Sequence, residues 1–425
     1  MQSINFSAGD LVFGYDPTTG LLNSLDAPDD VALAFTRDGR LITGESWAGP
    51  VAGSVTRGYD SNFRINGITI GGETIPYGYD SDGVPISAGA LGLSTTAFGA
   101  VEQLTLGNVT ERREFNGFGE ATRAHADFNG ADFFDRTYTL DTLGRIAEVS
   151  ETIAGVTVVY AYGYDAAGRL SEVRVDGTLV RAYTYDSNGN RLQQTVGTPA
   201  SGTYDDQDRL IAYGGTTYAY NEEGQCFAET TAGQTTIYAH DEFGWLRRVI
   251  LPDDTQIDYL LDGQGRRVGK LVNGTLMRGW LYGPGPNPVA ELDGAGAVVS
   301  RFIYASRPDV PDYLIKGGVT YRIIADQRGS PRLVVDVATG AVVQRLDYDA
   351  FGQVLSDTNP GSQPFGFGGG WPIARRPSRS AGGATTRRWG AGSPPRHGSR
   401  PARPIGMCTR TTTRSIAAKP RRREV

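Results

Sequence analysis

The chain has 425 residues, among them 58 Gly, 21 Tyr, 2 Cys and 3 His, with a net charge of -6. No run approaches the ~20 apolar residues of a membrane-spanning helix, and the first ten residues lack the basic start and apolar centre of a secretory signal. Cys226 and Cys408 lie too far apart in sequence to suggest a disulfide framework or a paired metal motif.

The charge is divided. Residues 371–425 carry thirteen Arg and one Lys against the single acid Glu424, which leaves 27 basic and 46 acidic side chains in residues 1–370. Two kinds of polypeptide are joined here.

Residues 1–130 read as degraded repeats. Tyr15-Asp-Pro-Thr-Thr-Gly20, Phe35-Thr-Arg-Asp-Gly-Arg-Leu41, Tyr59-Asp60 and Tyr79-Asp-Ser-Asp-Gly83 share an aromatic residue, an acid and a glycine at irregular spacing. The array opens without a recognisable cap, so a preceding stretch is expected upstream.

In residues 131–300 the pattern becomes regular. Tyr162-Gly-Tyr-Asp-Ala-Ala-Gly-Arg-Leu170 returns as Tyr183-Thr-Tyr-Asp-Ser-Asn-Gly-Asn-Arg-Leu192, and the anchors Asp141, Asp165, Asp186, Asp205, Asn221, Asp241 and Asp262 follow one another at roughly twenty residues, a spacing of stacked arrays. Tyr-x-Tyr places two rings on one face of a strand. The Asp carboxylate caps a turn through amides two residues on, and the Gly three residues later supplies positive φ. Arg-Leu then restores a strand, with Leu expected inward and Arg outward. Each unit is a β-hairpin, and hairpins this short need neighbours, so the units are expected to pair edge to edge into one long sheet. Val156–Val159 and Thr235–Ile237 read as strands, and Gly214-Gly215 and Asn273-Gly274 as hairpin connections.

Residues 301–370 continue with strands at Tyr321–Ile324 and Arg332–Val335 about a turn at Asp326–Gly329, then Val342–Leu346 leading to Tyr348-Asp-Ala-Phe-Gly352. Residues 371–425 contain no Leu, Tyr, Phe, Asp, Asn or Gln. That composition cannot build a core, and disorder is expected.

These units resemble the YD repeats of the Rhs and teneurin type. Ala325–Asp336, Tyr348–Leu355 and Pro364–Gly370 together resemble the Rhs repeat-associated core. The similarity covers most of residues 130–370. It implies an all-β, spirally wound antiparallel sheet that forms a wall segment of a shell. By the same resemblance, the shell of a polymorphic toxin encloses a C-terminal toxic effector, met by an immunity protein in intact relatives, and localisation is secreted or at the cell surface. The family's closing phrases are missing after residue 370. Shifting the reading by one base lets Ala384–Gly392 encode Tyr-Asp-Pro-x-Val-Gly-Arg-Trp, and lets Gly406–Thr411 encode Asn-Val-Tyr-Ala-Tyr, which are the missing phrases in order. The tail is therefore expected to be an out-of-frame reading, leaving the wall truncated and without intact toxin.

Chemistry offers little. His240 stands in the slot of a second Tyr, His125 lies in an alternating strand, and His397 lies in the tail. The Asp anchors lack the clustered acids of a calcium loop and are explained by their turns. Relatives carry an aspartate-dependent self-cleavage element after the core, but its Asp-Pro motif is absent here. No enzyme activity, catalytic residue, cofactor or metal site is expected, nor a nucleic-acid partner for the basic tail, whose salt-dependent DNA binding is a third reading. The alternative to the shell is a surface module that binds carbohydrate or protein, its rings stacking on sugars.

Overall fold

A computed structural model describes residues 2–6 and 9–371; the expectations for residues 372–425, including His397, Cys408 and the basic tail, lie outside the described residues. The chain folds into 35 β-strands, from Gln2–Phe6 to Val354–Asp357, with one short 3-10 turn at Phe367–Gly369. Every strand pairs antiparallel with its neighbours in sequence, giving one continuous meander. Its first and last strands are not paired with each other among the described residues, so the sheet is an open ribbon.

Because strands alternate in direction, the turns alternate between two rims, and the rims differ chemically. One rim carries two-residue connections such as Ala154-Gly155, Gly214-Gly215 and Asn273-Gly274. Both residues have positive φ there, 51° and 81° in the first pair, as in the hairpin turns whose twist matches that of the strands. The other rim carries the anchored five-residue turns, with Asp141, Asp165, Asp186, Asp205, Asn221, Asp241 and Asp262 in succession. Where Gly is missing, Asp208 takes the left-handed position at φ 59°. In the degraded unit Phe35–Leu41 the turn is not of the anchored kind: Asp38 pairs directly with Leu41 across a two-residue turn.

The predicted strands lie within Val156–Tyr164, Gln234–His240, Val319–Ala325, Pro331–Asp336 and Val342–Tyr348. Beside each regular anchored turn the register slips. Gly163 faces Glu172 and Tyr164 faces Leu170, so Ser171 is left without a partner; the same slip recurs at Tyr185, Tyr204, Tyr220, His240 and Leu261. A bulge bends its strand and raises its twist. Slips also occur on the opposite rim, at Val173 and Lys270 for example, but they are fewer there, and the excess on the anchored rim curls the ribbon.

The curl brings the chain back onto itself. Trp47 meets Asp262, 215 residues on; Ala88 meets Tyr313, 225 on; Glu111 meets Arg322, 211 on; and Glu151 meets Arg332, only 181 on. The separation rises from 215 to 225 and then falls to 181, so a second lap lies on the first and its later contacts span fewer residues. The largest buried apolar cluster combines Leu33, Trp47, Val55 and Ile70 of the first lap with Leu260, Trp280, Leu281 and Leu292 of the second. Two more join Leu91 and Leu104 to Tyr313, and Phe134 to Ile324 and Leu333. None of the five clusters contains a buried residue between Ile153 and Leu246, where contact with the second lap is sparse, as at Tyr183 against Phe351.

Candidate functional surface

The repeat is held by a lock that joins each unit to the next. Asp165 Oδ1 accepts the amides of Ala167 at 3.0 Å and Arg169 at 2.9 Å, and its Oδ2 accepts Arg169 Nε at 2.7 Å. Arg169 then reaches into the following unit. It donates to the Asp186 carbonyl at 2.6 Å and lies 4.8 Å over the Tyr185 ring, whose hydroxyl donates back to the Leu170 carbonyl at 2.6 Å. Arg145 does the same over Tyr164 at 4.2 Å, as do Arg64 over Tyr79 at 4.6 Å and Arg209 over Tyr220 at 5.2 Å. An uncharged version serves at Asn221, where Gln225 exchanges side-chain and backbone bonds with the anchor at 2.8 Å.

This geometry corrects two expectations. The arginine is folded along the rim rather than turned outward, because its own carboxylate and the next ring hold it from both ends. The two tyrosines are also unequal. The first ring is buried at Tyr183 and Tyr218 and half-buried at Tyr162 and Tyr238, while the second, as at Tyr164 and Tyr185, is half-buried beneath the arginine. The faces of the second rings are thus occupied from within the array.

The seam between the laps is built from charge as well as from apolar side chains. Three buried glutamates of the first lap each hold one arginine of that lap and one of the second. Glu45 binds Arg57 and Arg266, Glu111 binds Arg113 and Arg322, and Glu151 binds Arg136 and Arg332. Their exposures are 5, 2 and 3%. Burial alone would raise the Glu111 carboxyl, but Arg113 and Arg322 outweigh it and hold the group below its ordinary value. Sequence reasoning missed all three. Nothing local marks these glutamates, since each partner arginine in the second lap lies about two hundred residues away.

The described chain ends by folding onto this structure. Phe365 is fully buried against Phe302 at 5.0 Å, Trp371 stands edge-on to Trp280 at 4.8 Å, and buried Gln363 bonds Gln344 at 3.2 Å. At the other candidate positions, His240 occupies the second-tyrosine slot beside its bulge, and burial lowers its pKa. His125 Nδ1 lies 4.0 Å from Glu114. Cys226 is buried, its Sγ 3.5 Å from the Ala228 carbonyl oxygen. Among the described residues no group of three or more His, Cys, Asp or Glu is placed to hold a metal ion, and no helix is long and apolar enough to cross a membrane.

Residues 1–372 match the family described as Teneurin YD-shell. The chain belongs to that family. Human teneurin-4 is 25% identical over 379 residues, covering 84% of this chain and 14% of the relative, and chicken teneurin-1 is 23% identical over 392 residues, covering 87% and 14%. The tRNA3(Ser)-specific nuclease WapA of Bacillus spizizenii is 26% identical over 192 residues, covering 43% of this chain and 8% of the relative. The YD-shell chain thus spans about a seventh of the teneurins it matches. Among solved structures, TcdB2-TccC3 without its hypervariable C-terminal region is similar with a TM-score of 0.46 at 12% identity, covering 85% of this chain and 27% of that one. TcdB2-TccC3-TEV gives 0.47 at 13%, covering 87% and 25%.

Proposed function

We propose that this YD-shell chain is a wall segment of a shell that encloses a polypeptide cargo, a toxic effector of the polymorphic-toxin type, for delivery outside the producing cell. The observation that carries the reading is the curl: bulges more frequent on one rim bend a single sheet until its laps lock through buried Glu–Arg groups, which makes a curved wall instead of a flat recognition face. The WapA relative, a nuclease by name, supports an effector as cargo. The chain itself acts as a container and performs no chemistry. Cargo and immunity protein are its partners, and the shell is secreted or displayed at the surface. Against the carbohydrate-binding alternative stands the lock, which uses the second tyrosine's face for arginine and its hydroxyl for a backbone carbonyl.

The test is electron cryo-microscopy of the purified chain, together with a glycan array. A curved wall flanking a solvent-filled concavity, and no saturable glycan binding, is the expected result. A particle filled throughout its interior, or binding to a defined glycan lost on removing exposed rings, would overturn the reading.

A further inference from the structure

On the anchored rim, the residue two places after the anchor is a large apolar one in five turns: Phe98, Phe118, Leu143, Phe243 and Phe351. Their surroundings depend on the lap. In the second lap, Phe351 packs edge-on to Tyr183 at 4.9 Å and under Arg191 at 4.1 Å, and both partners belong to the preceding lap. Phe243 likewise lines a cleft with Leu11 and Pro28 of the first lap. In the first lap the same turn position meets no other lap: Phe98, Phe118 and Leu143 are 60, 91 and 73% exposed against 48% for Phe243, and Phe98 stands edge-on to Phe115 of its own hairpin at 5.7 Å.

These three form a row. A Cβ added to Gly119 would touch the Phe98 ring at 3.6 Å, and one added to Gly144 would meet Glu120 of the neighbouring turn at 2.9 Å, so the turns stand side by side. Single exposed apolar residues are unremarkable on a protein surface, whereas a contiguous row marks a contact.

We propose that the row Phe98, Phe118 and Leu143 is a docking rim for a further lap of the same ribbon, and that the isolated chain fills it with a second copy of itself. The second lap shows what such a rim packs on: the ring-and-guanidinium surface beside the anchored turns, as Phe351 does on Tyr183 and Arg191. A second copy offers such a surface along its arch between Leu192 and His240, where Arg209 lies over Tyr220 and no buried residue belongs to an apolar cluster. The two surfaces differ, so the contact is head-to-tail and does not close, and it should add copies in series. The proposal rests on the lap geometry and is independent of any enclosed cargo.

Sedimentation velocity of the full chain from about 1 to about 100 µM, the range in which a modest interface fills, tests it. The wild type should show a sedimentation coefficient that rises steadily with concentration. The triple variant Phe98→Ser, Phe118→Ser, Leu143→Ser should stay monomeric with its denaturation midpoint unchanged; if it fails to fold, Phe118→Lys alone replaces it, since that side chain has almost no intramolecular contact. A monomeric wild type throughout the range overturns the proposal. So does association that persists in the folded rim variant, and Leu355→Pro in the last strand then identifies the open sheet edge as its source.

Discussion

The lapped part of the wall and the arch between residues 156 and 245 are made of the same repeat yet are stabilised differently. In the lapped part, apolar residues from two turns of the ribbon share clusters, and Leu33, Leu104, Leu292 and Leu333 are sealed from solvent. In the arch, strands meet another lap at few points, such as Tyr183 against Phe351, and cohesion comes mainly from the lock of Asp, Arg and Tyr along one rim. A repeat array is stabilised by nearest-neighbour contacts alone when it is one layer thick. Winding a second layer adds long-range burial without changing the unit. The arch should therefore open at lower free energy than the laps, and hydrogen exchange should show its amides less protected than those of the first and second laps.

The sharpest way to break this contrast is to remove a charge from the seam. Glu111→Gln leaves Arg113 and Arg322 facing each other in a buried site, and breaking a buried ion pair on one side costs about 3–5 kcal/mol. The matching change in the arch, Asp165→Asn, keeps the turn cap, as Asn221 does naturally, and should shift the chemical denaturation midpoint far less. Equal shifts would mean that the seam adds nothing special. An apolar comparison follows at somewhat smaller size. Leu104→Ala in a shared cluster should cost about 2–5 kcal/mol, while Val173→Ala in the arch removes fewer methyl groups and should cost about 1–3 kcal/mol.

Next comes the lock itself. Tyr164→Ala removes a half-buried ring under Arg145 and a hydroxyl bonded to the Ile146 carbonyl at 2.7 Å. Cation–π attraction of about 0.5–1 kcal/mol at exposed sites and a hydrogen bond of about 0.5–1.5 kcal/mol set the expected loss near ~1–2 kcal/mol. Tyr164→Phe should recover the ring's share only. A loss of the size seen for a fully buried aromatic would show that the arch is covered in solution.

Most of the unit was legible in the sequence, because its determinants are local. Asp, Gly and Arg at fixed offsets specify a capped turn, and the recurrence of Tyr-Asp specifies a meander. The direction of the arginine was not legible: its second partner is the tyrosine of the following unit, and a single unit read alone leaves the guanidinium to solvent. The laps were further out of reach. Bulges are visible only as a slip between strands, at Ser171 for example, and their accumulated bend decides that Glu111 meets Arg322. Nor does the sequence separate the row at Phe98, Phe118 and Leu143 from the packed Phe351, since all four occupy the same place in the repeat.

The smallest expected effect distinguishes turns within the array by pH. At Asp141 the Arg145 side chain and amide hold the carboxyl below the ordinary aspartate value of 3.8, and backbone bonding from Arg64 does so at Asp60. Asp241 is the exception. Trp245 stands where the turns at Asp60 and Asp141 have arginine, and burial raises the carboxyl above 3.8 against the Trp245 amide's pull. The signs are therefore opposite. A depressed folded pKa contributes stability that is complete above the ordinary value and is lost as pH falls through the folded one. A raised folded pKa disfavours the folded state above it and ceases to do so as pH falls below. Between neutral pH and the acid transition, the turns at Asp60 and Asp141 should loosen while that at Asp241 tightens relative to them. Asp241→Asn should then leave neutral-pH stability unchanged or slightly raised, and should flatten the acid side of the profile only at that turn. Asp241→Asn paired with Trp245→Arg separates the causes: restoring the arginine without the acid should recover nothing, whereas Trp245→Arg alone should bring the turn's pH response into line with Asp141. A Trp245→Arg variant whose response keeps the sign of the wild-type Asp241 turn would show that burial, not the missing arginine, sets that carboxyl apart.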